Sequence, residues 1–226
     1  NATNTLEDIV LTNMARGFFP SVAQGASTTF NTIKSRKITE GGLYSTSSAK
    51  FTVTALDISE VGQQDIKLFN YNATSTLINS TFNTANLQFN GSGSGGVERA
   101  FTVDLTIVDT LGAPISGASV TLKDKNGNTL AGYPKTTGAD GKIGIQTITT
   151  DYYNYNNPSG ITFNSHSLTV TATGKIDYSQ TLNIQAPQVF SVVMSSNCDP
   201  QGTDKAYPMR VATTTDPPII TVWGTS

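Results

Sequence analysis

One cysteine (Cys198), one histidine (His166) and one tryptophan (Trp223) stand among 226 residues. A lone thiol closes no internal disulfide, so stability has to come from packing and backbone hydrogen bonding. It reads either as a small buried hydrophobe or as half of an intermolecular disulfide. A lone histidine, without a second His, a Cys pair or an acidic cluster beside it, offers no metal-ligand set. His166 opens a β-prone stretch and is expected at the surface or in a turn. Charge is also scarce: 13% of residues, net −2, which leaves no basic field for nucleic acid or an anionic membrane surface. Apolar runs are strand-sized, well short of the roughly 20 residues that span a bilayer, so no membrane span is expected. Asn1 follows neither an initiator methionine nor a charged-then-apolar leader, as expected of a processed precursor or a trimmed chain.

Serine, threonine, asparagine and glycine fill the space left by charge, a composition that suits extracellular β proteins. An extracellular or cell-surface location is expected. Four Asn-X-Ser/Thr sequons, at Asn1, Asn72, Asn79 and Asn90, would accept glycans in a secreted eukaryotic or archaeal protein.

The first ninety residues carry a repeat. Leu6, Ile9 and Leu11 align with Phe30, Ile33 and Ser35, then Val53, Leu56 and Ile58, then Leu77, Ser80 and Phe82, with a period of roughly 24 residues. Within each unit the apolar residues alternate with Thr, Asn, Asp and Lys, the period of a strand. Later apolar pulses follow at 18–22, at Ile38 and Leu43, at Ile66 and Leu68, and at Leu87 and Phe89. Two or three short strands per unit, with small residues at the corners, describe a solenoid coil. Residues 4–90 resemble a right-handed parallel β-helix, with an irregular β-sandwich as the other reading. Ser35 and Ser80 stand where the pattern wants apolar residues. A short stack exposes core at its ends, so the first strand, from Leu6 to Thr12, needs a cover: missing upstream coils or another copy of the chain.

Gly91-Ser92-Gly93-Ser94-Gly95-Gly96 marks a linker, assigned to 91–98. Beyond it Phe101, Val103, Leu105 and Ile107 alternate with polar residues. A turn at Gly112-Ala113-Pro114 leads to Ala118, Val120 and Leu122, which suggests a hairpin-like pair. Asn126-Gly127 suggests a tight two-residue turn with positive φ angles. Further strands are expected at 143–148, 167–172, 178–184 and 189–194, so seven short strands make a β-sandwich over 99–195. The segment Val108-Asp109-Thr110-Leu111-Gly112-Ala113-Pro114-Ile115-Ser116-Gly117-Ala118-Ser119-Val120 and the turn Thr137-Gly138-Ala139-Asp140-Gly141-Lys142 resemble a carboxypeptidase-regulatory-like, transthyretin-like sandwich. That resemblance implies an accessory module of secreted and surface proteins, itself not catalytic; the insertion at 151–165 departs from it. The fold class is therefore all-β: 1–90 solenoid, 99–195 sandwich and a tail at 196–226.

The tail is punctuated by prolines, yet 209–213 and 219–223 are β-prone. Ile219, Ile220, Val222 and Trp223 would be a liability loose in solvent. They either fold back on the chain or pair with an open sheet edge on a neighbouring subunit. With Leu6, Ile9 and Leu11 at the open solenoid end they form the candidate assembly set, and a head-to-tail contact that does not close makes a filament.

No catalytic apparatus is legible. Gly91-Ser92-Gly93-Ser94-Gly95 matches a nucleophile-elbow pattern only literally, since it sits in a linker and a strand follows. Glu7, Asp8, Asp57, Glu60 and Asp65 do not stack, because Asp57 aligns with Val10 in the first coil, so paired carboxylates for glycan cleavage are not expected. Asp124-Lys125-Asn126-Gly127-Asn128 opens like a calcium loop, but Lys135 occupies the position of the bidentate glutamate. Tyr152, Tyr153 and Tyr155 either form a sugar-stacking platform or cover an interdomain seam. The expectation is a non-catalytic, cofactor-free extracellular subunit that assembles with copies of itself. The alternatives are the C-terminal part of a secreted carbohydrate-binding adhesin or β-helix enzyme, and a viral surface protein.

Overall fold

A computed structural model describes residues 5–6, 9–18, 27–45, 50–69, 72–91, 93–197, 206–211 and 220–225, of which 5–6, 27, 60, 206–211 and 220–225 by their backbone alone. The first unit winds as a short β-solenoid. Its first coil holds β1 (Thr5–Leu6), β2 (Ile9–Thr12) and β3 (Arg16–Phe18). The second holds β4 (Ser27–Asn31), β5 (Ile33–Ile38) and β6 (Gly41–Ser45). The third holds β7 (Lys50–Thr54), β8 (Asp57–Val61) and β9 (Gln64–Phe69). In the last coil β10 (Thr74–Ile78) is followed by a bridge from Asp57 to Thr81, a 3₁₀ turn (Thr84–Asn86) and β11 (Leu87–Asn90).

Equivalent strands pair in parallel as β1-β4-β7-β10, β2-β5-β8 and β3-β6-β9-β11. The register is the one the repeat predicts: Leu6 on Phe30, Phe30 on Val53, Val53 on Leu77, and Ile9 on Ile33. Parallel in-register stacking puts like residue on like residue, so one inward apolar position per strand builds a continuous core. That core runs from Phe18 and Phe30, in edge-to-face contact at 4.7 Å, through Phe51, Leu56 and Leu68 to Leu77 and Val97.

The two serines that interrupt the pattern are buried and occupied. Ser35 Oγ donates to the Gly42 carbonyl at 2.9 Å, and Ser80 Oγ donates to the Ile78 carbonyl and accepts from Leu56 N–H. They satisfy main-chain groups that the bending coil would otherwise bury unpaired.

The second unit comprises β12 (Gly96–Asp109), β13 (Ser119–Lys123), β14 (Lys135–Thr136), β15 (Gln146–Asn154), β16 (Ile161–Thr162), β17 (His166–Thr171), β18 (Tyr178–Leu182) and β19 (Gln188–Met194). Two sheets enclose its core: β12 with β15, β16 and β19, and the sheet β14-β13-β17-β18. Phe101, Val103, Leu105, Ile107 and Ile148 meet Val120, Leu122, Leu168 and Val170 between them. A separate antiparallel pair, β20 (Ala206–Val211) and β21 (Ile220–Thr225), closes the described chain.

β12 belongs to both units. Its Gly96–Ala100 half pairs in parallel with β10, and its Val103–Asp109 half pairs in parallel with β19. β15 pairs with Gly96 through Val103 from the other side, so β10 and β19 follow one another along the same edge of β12. Where β10 leaves, Asn79 takes over: its Oδ1 accepts from Thr102 N–H at 2.9 Å and its Nδ2 donates to Thr102 Oγ1 at 3.0 Å.

Three expectations about the path of the chain need correction. Gly96, Val97 and Glu98, expected in a linker, begin β12. A Cβ on Gly95 would lie 2.0 Å from the Ala73 carbonyl oxygen, and one on Gly96 2.1 Å from that of Tyr153, so these glycines serve close backbone approach. β12 and β13 are not a hairpin but lie in opposite sheets, because the intervening residues are enough to step across the roughly 10 Å between layers. At Asn126-Gly127 only Gly127 has a positive φ, 84°; Asp124 Oδ1 accepts from the N–H groups of Asn126 and Asn128 and shapes the turn instead.

Gly96→Ala is therefore expected to lower unfolding free energy by at least about 2 kcal/mol. Gly112→Ala, at φ 82° with open space around it, should cost about 1 kcal/mol. Denaturant titration of both variants checks the order.

Candidate functional site

Inward-facing positions of β12 run Val97, Arg99, Phe101, Val103, Leu105, Ile107, and only Arg99 is charged. Val97 sits in the solenoid core and Phe101 in the core of the second unit. Arg99 thus lies at the seam between them. Opposite it on β15 stands Asp151, and opposite Val97 stands Tyr153. The ladder shifts register between Arg99 and Ala100, leaving Thr150 as the extra residue. Its buried hydroxyl reaches Asp151 Oδ2 at 2.8 Å and the Arg99 carbonyl at 3.3 Å. The bulge turns Asp151 and Tyr153 into the same phase as Arg99, a re-aiming typical of such irregularities.

The Arg99 guanidinium is held over Phe82 at 5.5 Å and over Phe101 at 5.0 Å. Its Nε is shut off from solvent without a hydrogen-bond partner. The ion pairs among the described residues are Arg16–Glu40, Arg36–Asp57 and Lys142–Asp104; Arg99 and Asp151 face each other without closing one. Tyr153 is buried edge-on to Phe82, ring centroids 6.4 Å apart. Burial pushes its phenol pKa up, the nearby Asp151 adds to that, and Arg99 opposes it through its charge and a hydrogen bond to the phenol.

These residues floor a cleft of about 700 Å³, walled by Thr84, Thr162, Asn164, Thr181, Asn183 and Gln185. Thr181 and Asn183 also border a second depression, about 620 Å³, between β18 and β19, which continues past Gln188, Val189 and Phe190. The two form one polar groove down the side of the second unit. β18 pairs only with β17 and β19 only with β12 among the described residues, so two sheet edges open onto it. Val189 and Val193 on β19 are 81% and 53% exposed, unusual for an edge strand, which charged residues or proline normally guard.

His166 is fully buried, contrary to the surface position expected. It takes the inward phase of β17 with Leu168 and Val170. Its Nδ1 lies 3.3 Å from Asn164 Oδ1, and its Nε2 has no partner. Asn164 is itself fastened to Ile184 N–H and carbonyl, so it ties the cleft wall to the loop after β18.

The sequence candidates scatter. Tyr152 and Tyr153 take opposite faces of β15, and Tyr155 stands beyond its end, so the structure does not bring the three together. Asn72 is exposed, its Oδ1 accepting from Ser94 N–H; Asn79 is committed to Thr102; Asn90 ends β11, half-buried. Ile9 and Leu11 are partly buried and pack against the solenoid core. Leu6 lies in β1, and Ile220, Val222 and Trp223 lie in β21. Asn1, Cys198, Ile219, Glu7 and Asp8 fall outside the described residues, as does the side chain of Glu60. Asp57 pairs with Arg36 at 3.0 Å, while buried Asp65 accepts from Asn83 N–H and Asn86 Nδ2 and holds the last corner. Asp124 spends both oxygens on N–H donors of its own turn, which hold its pKa below the usual range, the Asn128 amide foremost. Among the described residues no three His, Cys, Asp or Glu side chains are grouped to hold a metal, and no helix is long and apolar enough to cross a membrane. Arg99 was missed by sequence reasoning, although an arginine in the apolar phase of an otherwise regular strand was its signal.

No family model and no curated protein matches the chain. Among solved structures it is similar to the Bacillus anthracis TIE protein, at 11% identity and a TM-score of 0.30 over 48% of this chain and 20% of that one. It is also similar to wild-type Acinetobacter radioresistens catechol 1,2-dioxygenase, at 13% identity and a TM-score of 0.28 over 50% of this chain and 57% of that one. The aligned part thus spans less than two thirds of either neighbour.

Burial lowers the His166 pKa from its ordinary 6.5, with Asp124 and Asp151 opposing. The unfolded chain therefore takes up the proton first, and the stability that neutral His166 confers is complete above about pH 6.5 and declines as pH falls toward the folded value. Urea titrations from about pH 7 down to about pH 5 should show this loss in the native chain and a flatter profile in His166→Gln.

Proposed function

We propose that the chain is a non-catalytic extracellular structural subunit that joins copies of itself by strand donation into a filament or layer. The observation that carries this reading is the pair of open edges, β18 and β19, beside one groove. The donor is the β20–β21 hairpin of a neighbouring copy. Two strands alone are marginal in water, and among the described residues this hairpin is strand-paired only with itself. Its register sets Met209 against Val222 and Val211 against Ile220, apolar pairs that gain by docking on an apolar edge such as Val189 and Val193. Main-chain hydrogen bonds to the edge supply affinity, and alternate side chains supply selectivity.

The donor end and the acceptor groove are different surfaces of one chain, so the contact is head-to-tail and extends without closing. The open solenoid end, where β1, β2 and β3 each pair on one side only among the described residues, offers a second contact. We read the second unit as a transthyretin-like sandwich, which the parallel pairing of its first and last strands supports, and the first as a right-handed β-helix. A surface rich in Ser, Thr and Asn, with little charge, supports an extracellular setting, and exposed Asn72 is the sequon best placed for a glycan.

Light scattering and negative-stain microscopy of three versions test the reading: the full chain, a chain ending at Pro218, and Val189→Lys with the tail intact. Filaments from the full chain alone are expected, with Val189→Lys melting like the native protein because its side chain is exposed. Monomers from the full chain at every concentration, or filaments from both variants, would refute strand donation.

A further inference from the structure

The strand-donation reading uses the β18–β19 half of the groove and leaves the seam half without a role. We propose that the seam cleft is a binding site for a neutral carbohydrate segment, with Arg99 and Asp151 gripping a pair of adjacent hydroxyls. An arginine in the apolar phase of a shared strand is half-buried between Phe82 and Phe101, with one nitrogen unpartnered, and such a group is costly unless something answers it. Its cross-strand neighbour Asp151 does not close an ion pair with it, although both open into the same cleft.

The pairing of charges selects the ligand. A free anion meeting Arg99 also meets Asp151, a cation meets the reverse, and an apolar group would strip water from both. Adjacent hydroxyls answer both at once, because each can donate to a carboxylate and accept from a guanidinium. The walls fit the same chemistry: Thr162 and Thr181 carry hydroxyls, while Asn183 and Gln185 carry amides that both donate and accept. A cleft of about 700 Å³ is of the size that holds small ligands. The bulged ladder fits as well: without the extra residue Thr150, Asp151 would face the opposite side of the sheet.

Isothermal titration of the full chain with maltohexaose, cellohexaose, xylohexaose and chitohexaose, and with a galacturonate oligomer for comparison, tests the assignment. At least one neutral oligosaccharide should bind, with affinity lowered about tenfold or more in Arg99→Gln and in Asp151→Asn. Gln185→Ala, an exposed wall residue whose loss leaves folding intact, should weaken binding without moving the melting temperature, and Val189→Lys should leave binding unchanged even where it abolishes assembly. No heat from any neutral oligosaccharide at about 10 mM, or binding that ignores Arg99→Gln, Asp151→Asn and Gln185→Ala alike, would overturn the site. Binding of the galacturonate alone would overturn it too, by assigning the cleft to an anion.

Discussion

Backbone hydrogen bonding along β12 sets the conditions that the rest of the molecule meets. Fourteen residues long, this strand has neighbours on both sides over most of its length and changes one of them partway, from β10 to β19. A buried strand cannot leave N–H and C=O groups unpaired at such a change. Asn79 fills the step with two bonds to Thr102, which gives this sequon asparagine a structural task. Gly95 and Gly96, where the strand begins, let the chain before β10 and β15 approach closely enough to pair. The solenoid's last coil is thereby capped by the second unit, and core exposed at that end of a short stack is removed from water.

The same strand explains where polar groups gather. A sheet running through two cores has a seam, and its inward positions there belong fully to neither. Apolar residues occupy those positions on both sides, in Val97 and Phe101, while Arg99 and Asp151 occupy the seam itself. Their presence costs solvation that aliphatic side chains would not. The bulge at Thr150 is the local means by which both point into one cleft. Next to it, the second unit leaves the edges of β18 and β19 open, and β19 carries exposed valines where a monomer's edge is normally protected. Both features lie on the groove side, the face on which the proposed strand donation and ligand binding rest.

The solenoid was legible to the residue because its constraint is local and repeated. Parallel stacking demands like on like, so Phe30, Val53 and Leu77 announce their own alignment, and even Ser35 and Ser80 sit where the register put them. The shared strand was not legible. Period-two alternation shows which face of β12 is buried but not which strands flank it, and Gly95 and Gly96 look the same in a flexible linker as in a tightly paired ladder. The separation of β12 from β13 was hidden for the same reason, since a turn sequence can close a hairpin or step between sheets. On β15 the bulge shifts the phase between Ile148 and Tyr153, which obscured the alignment of Asp151 with Arg99. His166 was misplaced because a single polar residue at a strand start carries no sign of which face it takes.

Continuity of the sheet through β12 is the claim on which the two-unit architecture rests, and native-state hydrogen exchange measures it directly. Amides of β10 and of both halves of β12 are predicted to exchange through one opening reaction with the same free energy and the same denaturant dependence, that of global unfolding. Exchange from β10 and the Gly96–Ala100 half at a lower free energy, while the Val103–Asp109 half stays protected, would show two independent units joined by a linker.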